Sequence, residues 1–396
     1  MADLGFKAFD ADQHYYEAED AFIRYIEPSM RKRCMQWAEI DGKKRLLVGG
    51  RVNRFIPNPT FDPVAHPGCL DSYFRAKTSA KDIREAFGQL EPISPFYRDR
   101  QARLTSMDDQ GVESCFMFPT LGVGMEAALE HDPPAMLAAF RAFNRWVDDD
   151  WGVNYENRIY AAPYITLADV DWAIEELEWA LSRDARIINL RASSVVAVDG
   201  RRSFGHPLHD PFWERLNEAG ITVTIHSGDA GYGFMLDYWG QDSEFEAFRY
   251  SPLRSLMSAT PIADTVASFI AEGIFTRYRN IRLATIESGS EWLSPLLKKI
   301  KKAYGQHTYA FAEDPLETIR KHLFISPYYE DNLQELKAQI GAENILFGSD
   351  WPHAEGLEFP TEFVHDLDGF SADEIRLIMR ENALGLVQPK GALAKV

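Results

Sequence analysis

Short apolar runs rich in β-branched and aromatic residues recur along the chain: FDADQH (9–14), SCFMFPT (114–120), IYAAPYI (159–165), ARIINLR (185–191), ITVTIHS (221–227), IRLATIE (281–287), LFIS (323–326) and ILFGSD (345–350). Between them lie stretches with helical spacing. In DVDWAIEELEWALS (169–182), Val170, Ala173, Ile174, Leu177 and Leu181 fall along one helix face. Strand and helix in alternation predict a parallel sheet, and eight such strands are the number that a closed (β/α)8 TIM-like barrel uses. The chain is read as one barrel domain over residues 1–396.

Two stretches break this rhythm. Residues 29–100 include RVNRFIPNPTFDPVAHPGCLDSY, dense in Pro, Asn, Gly and aromatics, and read as an insertion after the first strand. Loops after barrel strands build the catalytic face, so this insertion is expected to be a lid or pocket wall, or else an oligomer contact. The aromatic-rich loop GDAGYGFMLDYWGQDSEFEAFRYSP (228–252) follows the fifth run and carries the same two readings.

Charge narrows the partners. With 42 Lys+Arg against 60 Asp+Glu, the net charge of −18 repels phosphate backbones and anionic head groups. Neither nucleic acid nor a membrane surface is expected as a partner. Cys34, Cys69 and Cys115 are scattered and form no CxxC spacing, which speaks against a disulfide framework or a structural zinc cluster. The opening MADLGFKAFD lacks the basic-then-apolar pattern of a secretory signal, and no stretch approaches the roughly 20 apolar residues of a bilayer span. A reducing, cytoplasmic setting is expected.

The chemistry gathers at the strand ends. In a strand, Asp10, Asp12 and His14 share a face, which makes them either a solvated edge or part of a metal site. His226 ends the fifth run, Glu287 the sixth and Asp350 the eighth, on the rim where barrel enzymes place catalysis. A single such residue is ordinarily a solvated terminus or a helix cap. Together, imidazole and carboxylate make a site suited to Zn²⁺, Mn²⁺ or Fe²⁺. Asp12, Glu287 and Asp350 alone would repel one another, so without a cation at least one carboxyl is expected to have a raised pKa.

The motifs DADQH (10–14), HSG (226–228) and GSDWPHAEG (348–356) resemble the amidohydrolase superfamily. RLTSMDDQGVESCFMFPT (103–120), PFWERLNEAGITVTIHSG (211–228) and ENALGLV (381–387) are similar to the branch of aminocarboxymuconate-semialdehyde, resorcylate and carboxyvanillate decarboxylases. The resemblance implies that Asp12 and His14 replace the usual HxH, that His226 is the strand-five ligand, and that Asp350 binds metal and manages the proton of its water. Where many relatives carry an acid/base His, this chain has Glu287, which reads as a general base or as a further ligand. The bridging carboxylated Lys of the family has no counterpart in ARIINLRAS, so a single divalent metal is implied. Arg191 there reads as a substrate-carboxylate anchor or as a salt bridge. His353 is read as orienting Asp350 or substrate, His206 and His209 as ligands or loop hydrogen-bonders, and Tyr16 and Glu17 as imidazole partners or the start of a loop.

The expected function is a metal-dependent hydrolase of an amide, lactone or ester, or a non-oxidative decarboxylase, acting on a small organic acid. One Zn or Mn is expected, with Fe an option. Asp350, Glu287 and His353 are the catalytic candidates; Arg191, Tyr16 and Phe55 are the substrate-binding ones. Phe55, Phe61, Tyr73 and Phe74 permit an aromatic or apolar substrate. Two rivals stand beside this reading. One is a dinuclear Fe/Mn oxygen-dependent hydroxylase, with Glu287 on the second metal and His209 or His353 assisting; the other is a metal-retaining structural subunit of a hetero-oligomer. A homodimer or larger assembly is expected.

Overall fold

The computed structural model describes residues 2–56, 58–242, 251–257 and 260–391. Seven of the apolar runs form strands that pair in parallel. In chain order the strands are β1 (Ala8–Tyr15), β2 (Met35–Ile40), β3 (Lys43–Val48), β4 (Arg51–Val52), β5 (Val112–Pro119), β6 (Ile159–Ala161), β7 (Ile187–Asn189), β8 (Val195–Ala197), β9 (Gly200–Arg202), β10 (Thr222–His226), β11 (Arg282–Ile286) and β12 (Leu323–Ile325). One parallel sheet has the order β1-β5-β6, and another β12-β11-β10-β7.

Single parallel bridges link these sheets. Tyr164 bridges Asn189, Ile325 bridges Ile345, and Gln13 bridges Trp351. The run at 345–350 is not a regular strand, yet the Leu346 amide donates to Ile325 O at 2.8 Å and the Ala11 amide donates to Phe347 O at 2.8 Å. Following the bonds from β1 through β12 and this segment leads back to β1. Pro163 shortens the third run, because its ring removes an amide donor, and pairing resumes where the Asn189 amide donates to Pro163 O at 2.8 Å. A cluster of Phe9, Ala11, Phe116, Tyr160, Ile187, Ala284 and Leu346 joins side chains from strands all along this circuit.

Helices follow most of the strands. Val170–Ser182 starts one residue inside the expected range, since Asp169 caps it by accepting from the Trp172 amide. Ala173 and Leu177 are buried, and Val170, Ile174 and Leu181 pack at the edge of the core. The 29–100 stretch contains a small antiparallel sheet, β2-β3-β4, and two four-residue helices, Asp71–Phe74 and Ile83–Ala86. In the aromatic loop after β10 a four-residue helix spans Phe234–Asp237, while 243–250 lie outside the described residues. Among the described residues no helix is long and apolar enough to cross a membrane.

Glu17, just past β1, directs its carboxylate to the amides of Leu121 and Gly122 at 2.8–3.0 Å rather than to His14. Burial outweighs those bonds and pushes its carboxyl from 4.5 up to about 6. The folded state then holds a proton that the unfolded chain releases first, so this contribution is full below pH 4.5 and is lost as pH rises through 6. Urea melts should show the stability of the wild type relative to Glu17→Gln falling by about 2 kcal/mol between these pH values. A difference that stays flat, or that rises, would contradict this.

Candidate metal centre and active site

Six side chains converge at the C-terminal ends of the parallel strands. His14 Nε2 lies 3.4 Å from Asp12 Oδ1, 3.8 Å from Glu287 Oε2 and 3.2 Å from Asp350 Oδ1. His226 Nε2 lies 3.4 Å from Asp12 Oδ1, 3.0 Å from Glu287 Oε2 and 3.2 Å from His14 Nε2. His353 Nδ1 is 2.6 Å from Asp350 Oδ1, at an angle unsuited to a hydrogen bond. Two ligand groups result: Asp12, His14, His226 and Glu287 in one, and His14, Asp350 and His353 in the other.

These atoms fit a cation. Ligands bound at about 2.1 Å with tetrahedral to octahedral angles lie roughly 3.0–3.4 Å apart, which is the spacing seen around His226 Nε2. His14 Nδ1 faces Pro119 O at 3.1 Å and His226 Nδ1 faces Ser227 O at 2.7 Å. A carbonyl only accepts, so in the neutral rings both Nδ1 atoms carry the hydrogen and both Nε2 lone pairs point inward. Asp12 Oδ1 and Asp350 Oδ1 are buried without a hydrogen-bond partner. A divalent ion among Asp12, His14, His226 and Glu287 would satisfy Asp12 Oδ1 and both Nε2 lone pairs, while Asp350 Oδ1 belongs to the second group with His14 and His353.

Without a cation, protons take its place. Burial opposes charge on His226, but Glu287 and Asp12 push its imidazole up to about 9. Burial is likewise overcome at His14, which Asp12 and Asp350 raise well above the usual histidine range. Asp12 and Asp350 are buried too, yet the neighbouring histidines hold both carboxyls below the usual range. This corrects the expectation of a raised pKa in the cluster for these two carboxyls, because hydrogen bonds and charge from His14, His226 and His353 outweigh their burial. The raised carboxyls flank the site: burial pushes Asp10 up to about 7, and burial with the charge of Asp350 does the same to Glu355.

Supports from distant parts of the chain fix the ligands. Asp10 turns away from the cation position and accepts from the Asp12 amide, Gln13 Nε2, the Ser349 amide and Ser349 Oγ at 2.5–3.1 Å. The buried Arg103 donates to His14 O at 2.6 Å and to Gln13 Oε1 at 3.2 Å, with its guanidinium beside the rings of Trp351 and Trp151. Thr120 Oγ donates to Tyr15 O, which leaves it to accept from His353 Nε2 at 3.0 Å. Glu287 and Asp350 both have left-handed backbones, with φ of 49° and 56°. A Cβ on Gly348 would come within 2.8 Å of Asp12 Cβ, so only glycine lets that segment pass so close to the ligand. The sequence reading missed Arg103, Ser349 and Glu355. For Glu355, its place inside the DWPHAEG motif, one residue before Gly356, was the available signal; the other two are defined only by contacts far apart in the chain.

The remaining candidates sit at varying distances. Tyr16, Phe55 and His353 line one cavity of about 740 Å³ with His14, His226 and Glu287. Asp12, Glu287 and Asp350 also face a second cavity of about 210 Å³. Arg191 lies apart, in a space of about 20 Å³ beside Glu126 and His226, with Nη2 3.5 Å from Glu130. That volume suits a water rather than a carboxylate. His206 and His209 serve their own loop: His206 accepts from the Leu208 amide, and buried His209 contacts Phe204 O at 3.1 Å. Tyr73 contacts Phe74 at 5.7 Å between ring centroids.

The amidohydrolase family profile matches residues 94–387. The chain belongs to the amidohydrolase family. It is therefore an enzyme of the amidohydrolase-like class of hydrolases and carboxy-lyases. An amidohydrolase of Mycobacterium avium subsp. paratuberculosis K-10 is 42% identical, with 97% of this chain and 100% of that one covered and a TM-score of 0.92. A 2,6-dihydroxybenzoate decarboxylase from Rhizobium shares the fold at 18% identity, covering 85% of this chain and 96% of that one, with a TM-score of 0.58. So does a 5-carboxyvanillate decarboxylase from Novosphingobium aromaticivorans DSM 12444, solved with bound manganese, at 14% identity, 97% and 98% coverage and a TM-score of 0.60. A comparison with curated proteins finds no match.

Alanine at Asp12 or His226 should leave well under one Mn²⁺ per chain by elemental analysis. Ser349→Ala, which leaves every ligand in place but loosens Asp10, should weaken Mn²⁺ binding about 10–100-fold in calorimetry. Unchanged affinity in Ser349→Ala would show that the Asp10 contact does not position Asp12.

Proposed function

We propose that the circuit of parallel segments is a closed (β/α)8 barrel and that its mouth is a mononuclear metal site for hydrolysis or non-oxidative decarboxylation of an organic acid. The observation that supports this best is the meeting of Asp12, His14, His226 and Glu287 within ligand spacing. Bound there, a divalent Mn or Zn supplies Lewis-acid polarisation of a substrate oxygen and lowers the pKa of water toward ~7. Glu287 stands at both cavities, which supports giving it the role of taking or giving a proton at the reacting centre. His353, hydrogen-bonded through Nε2 to Thr120 and with Nδ1 2.6 Å from Asp350, is the residue we assign to relaying it. Decarboxylation replaces the departing CO₂ with one proton; hydrolysis moves one proton from water to the leaving group. The aromatic wall at Tyr16 and Phe55, and the 2,6-dihydroxybenzoate and 3-methoxy-4-hydroxy-5-nitrobenzoic acid bound in the fold neighbours, favour an aromatic acid and the carboxy-lyase branch.

A second reading, the dinuclear oxygen-dependent hydroxylase, draws support from the second ligand group of His14, Asp350 and His353. Metal counting separates the two. One metal per chain with CO₂ release from a hydroxylated aromatic acid supports the lyase, and one metal with hydrolysis of a lactone or ester supports the hydrolase. Two redox metals with oxygen uptake would replace both by the hydroxylase. In the first two cases Glu287→Gln should lower kcat about 10²–10⁴-fold.

A further inference from the structure

The larger cavity runs well beyond the ligand cluster. Its volume of about 740 Å³ is in the range that encloses a drug-sized molecule, whereas the cluster occupies only one end. Away from the cluster the lining is mostly apolar, with Phe55, Ile56, Phe61, Val64, Phe87 and Leu90 supplied by the stretch inserted after β1 and Asn58 and Arg84 as the polar side chains among them. Leu90 is 48% exposed, an apolar side chain left at the opening of a protein with a net charge of −18. A line of rings joins the two ends. His353 is 5.7 Å from Tyr16 between centroids, and Tyr16 is 4.3 Å from Phe61. Phe61 is buried and held at φ 55°, a left-handed conformation unusual for a bulky residue and of the kind that persists where surrounding structure clamps a ligand wall.

From the cavity, its apolar lining and this ring line, we infer that the substrate is an acid with an extended apolar body of more than one ring's length, lying along Tyr16 and Phe61 toward Leu90. The inference rests on the reading that the ligand-cluster end takes the polar, carboxylate-bearing part. The stretch at 29–100 then selects the substrate by its length. A one-ring acid would fill the cluster end and leave the apolar end to water, while each further fused ring replaces that water by contact with side chains.

The test uses benzoate, 2-naphthoate and anthracene-2-carboxylate on the Mn²⁺-loaded full chain, with Mn²⁺ content measured beforehand and affinity by calorimetry. Affinity should rise about fivefold with each added ring. Leu90→Asn alters only the opening, so it should weaken anthracene-2-carboxylate several-fold and leave benzoate unchanged; Phe61→Ala should weaken both larger acids. Benzoate binding with equal or weaker binding of the larger acids would overturn the length inference and leave the metal reading standing. If no acid binds although one Mn²⁺ is present, the carboxylate-binding reading fails, and this inference with it.

Discussion

The structure depends on a buried carboxylate that joins the beginning of the chain to its end. Asp10 is fully buried, and its two oxygens accept four hydrogen bonds, two of them from Ser349, 339 residues away. A buried carboxylate without such donors would cost several kcal/mol, so β1 and the 345–351 segment are held together with little freedom to slide. The same seam sets the function. Asp12 and His14 leave it from one side and Asp350 from the other, so the bonds that close the circuit also set the separations across the ligand cluster. Arg103 adds a second tie by donating to His14 O from outside the strand layer.

Held this close in a buried place, the cluster has to settle its charge. Three carboxylates that converge without a cation draw protons onto the imidazoles, which is why His14 and His226 rise while Asp12 and Asp350 fall. Around this charged centre the next carboxyls respond the other way. Asp10 and Glu355 rise to about 7, chiefly because burial disfavours their charge, with the negative charge of Asp350 adding to it at Glu355.

Much of this was legible in the chain, for a definite reason. The residues at the ends of apolar runs could be read because position in a strand determines where a side chain points, so His226, Glu287 and Asp350 declared themselves without any partner being known. Most strands followed from the same runs. What could not be read was defined by contacts with no sequence signature: the pairing of Asp10 with Ser349, the reach of Arg103 to a carbonyl, and the enclosure of Arg191 in a space of about 20 Å³. The eighth run shows the limit within one segment. Its apolar half bonds as a strand would, but Gly348 passes against Asp12 and Asp350 takes φ 56°, so regular pairing ends where the chemistry begins.

That loss of regularity has a mechanical use. A residue at positive φ turns the chain sharply, which lets the loop depart while the side chain stays over the strand end. Glu287 and Asp350 both do this, each at a cost of roughly 1–3 kcal/mol that must be met by neighbours which leave no other path. For Glu287 the neighbour is Tyr328, whose hydroxyl donates to Glu287 O at 2.7 Å; for Asp350 it is the His353 amide, which donates to Asp350 O at 2.9 Å. Relaxing either turn would carry a carboxylate away from the imidazoles, whose Nε2 atoms lie 3.2 Å apart, and leave their charge less well balanced. The strained backbone and the convergent ligands are therefore one arrangement: the fold holds two unfavourable turns so that carboxylates from different strands meet at one point.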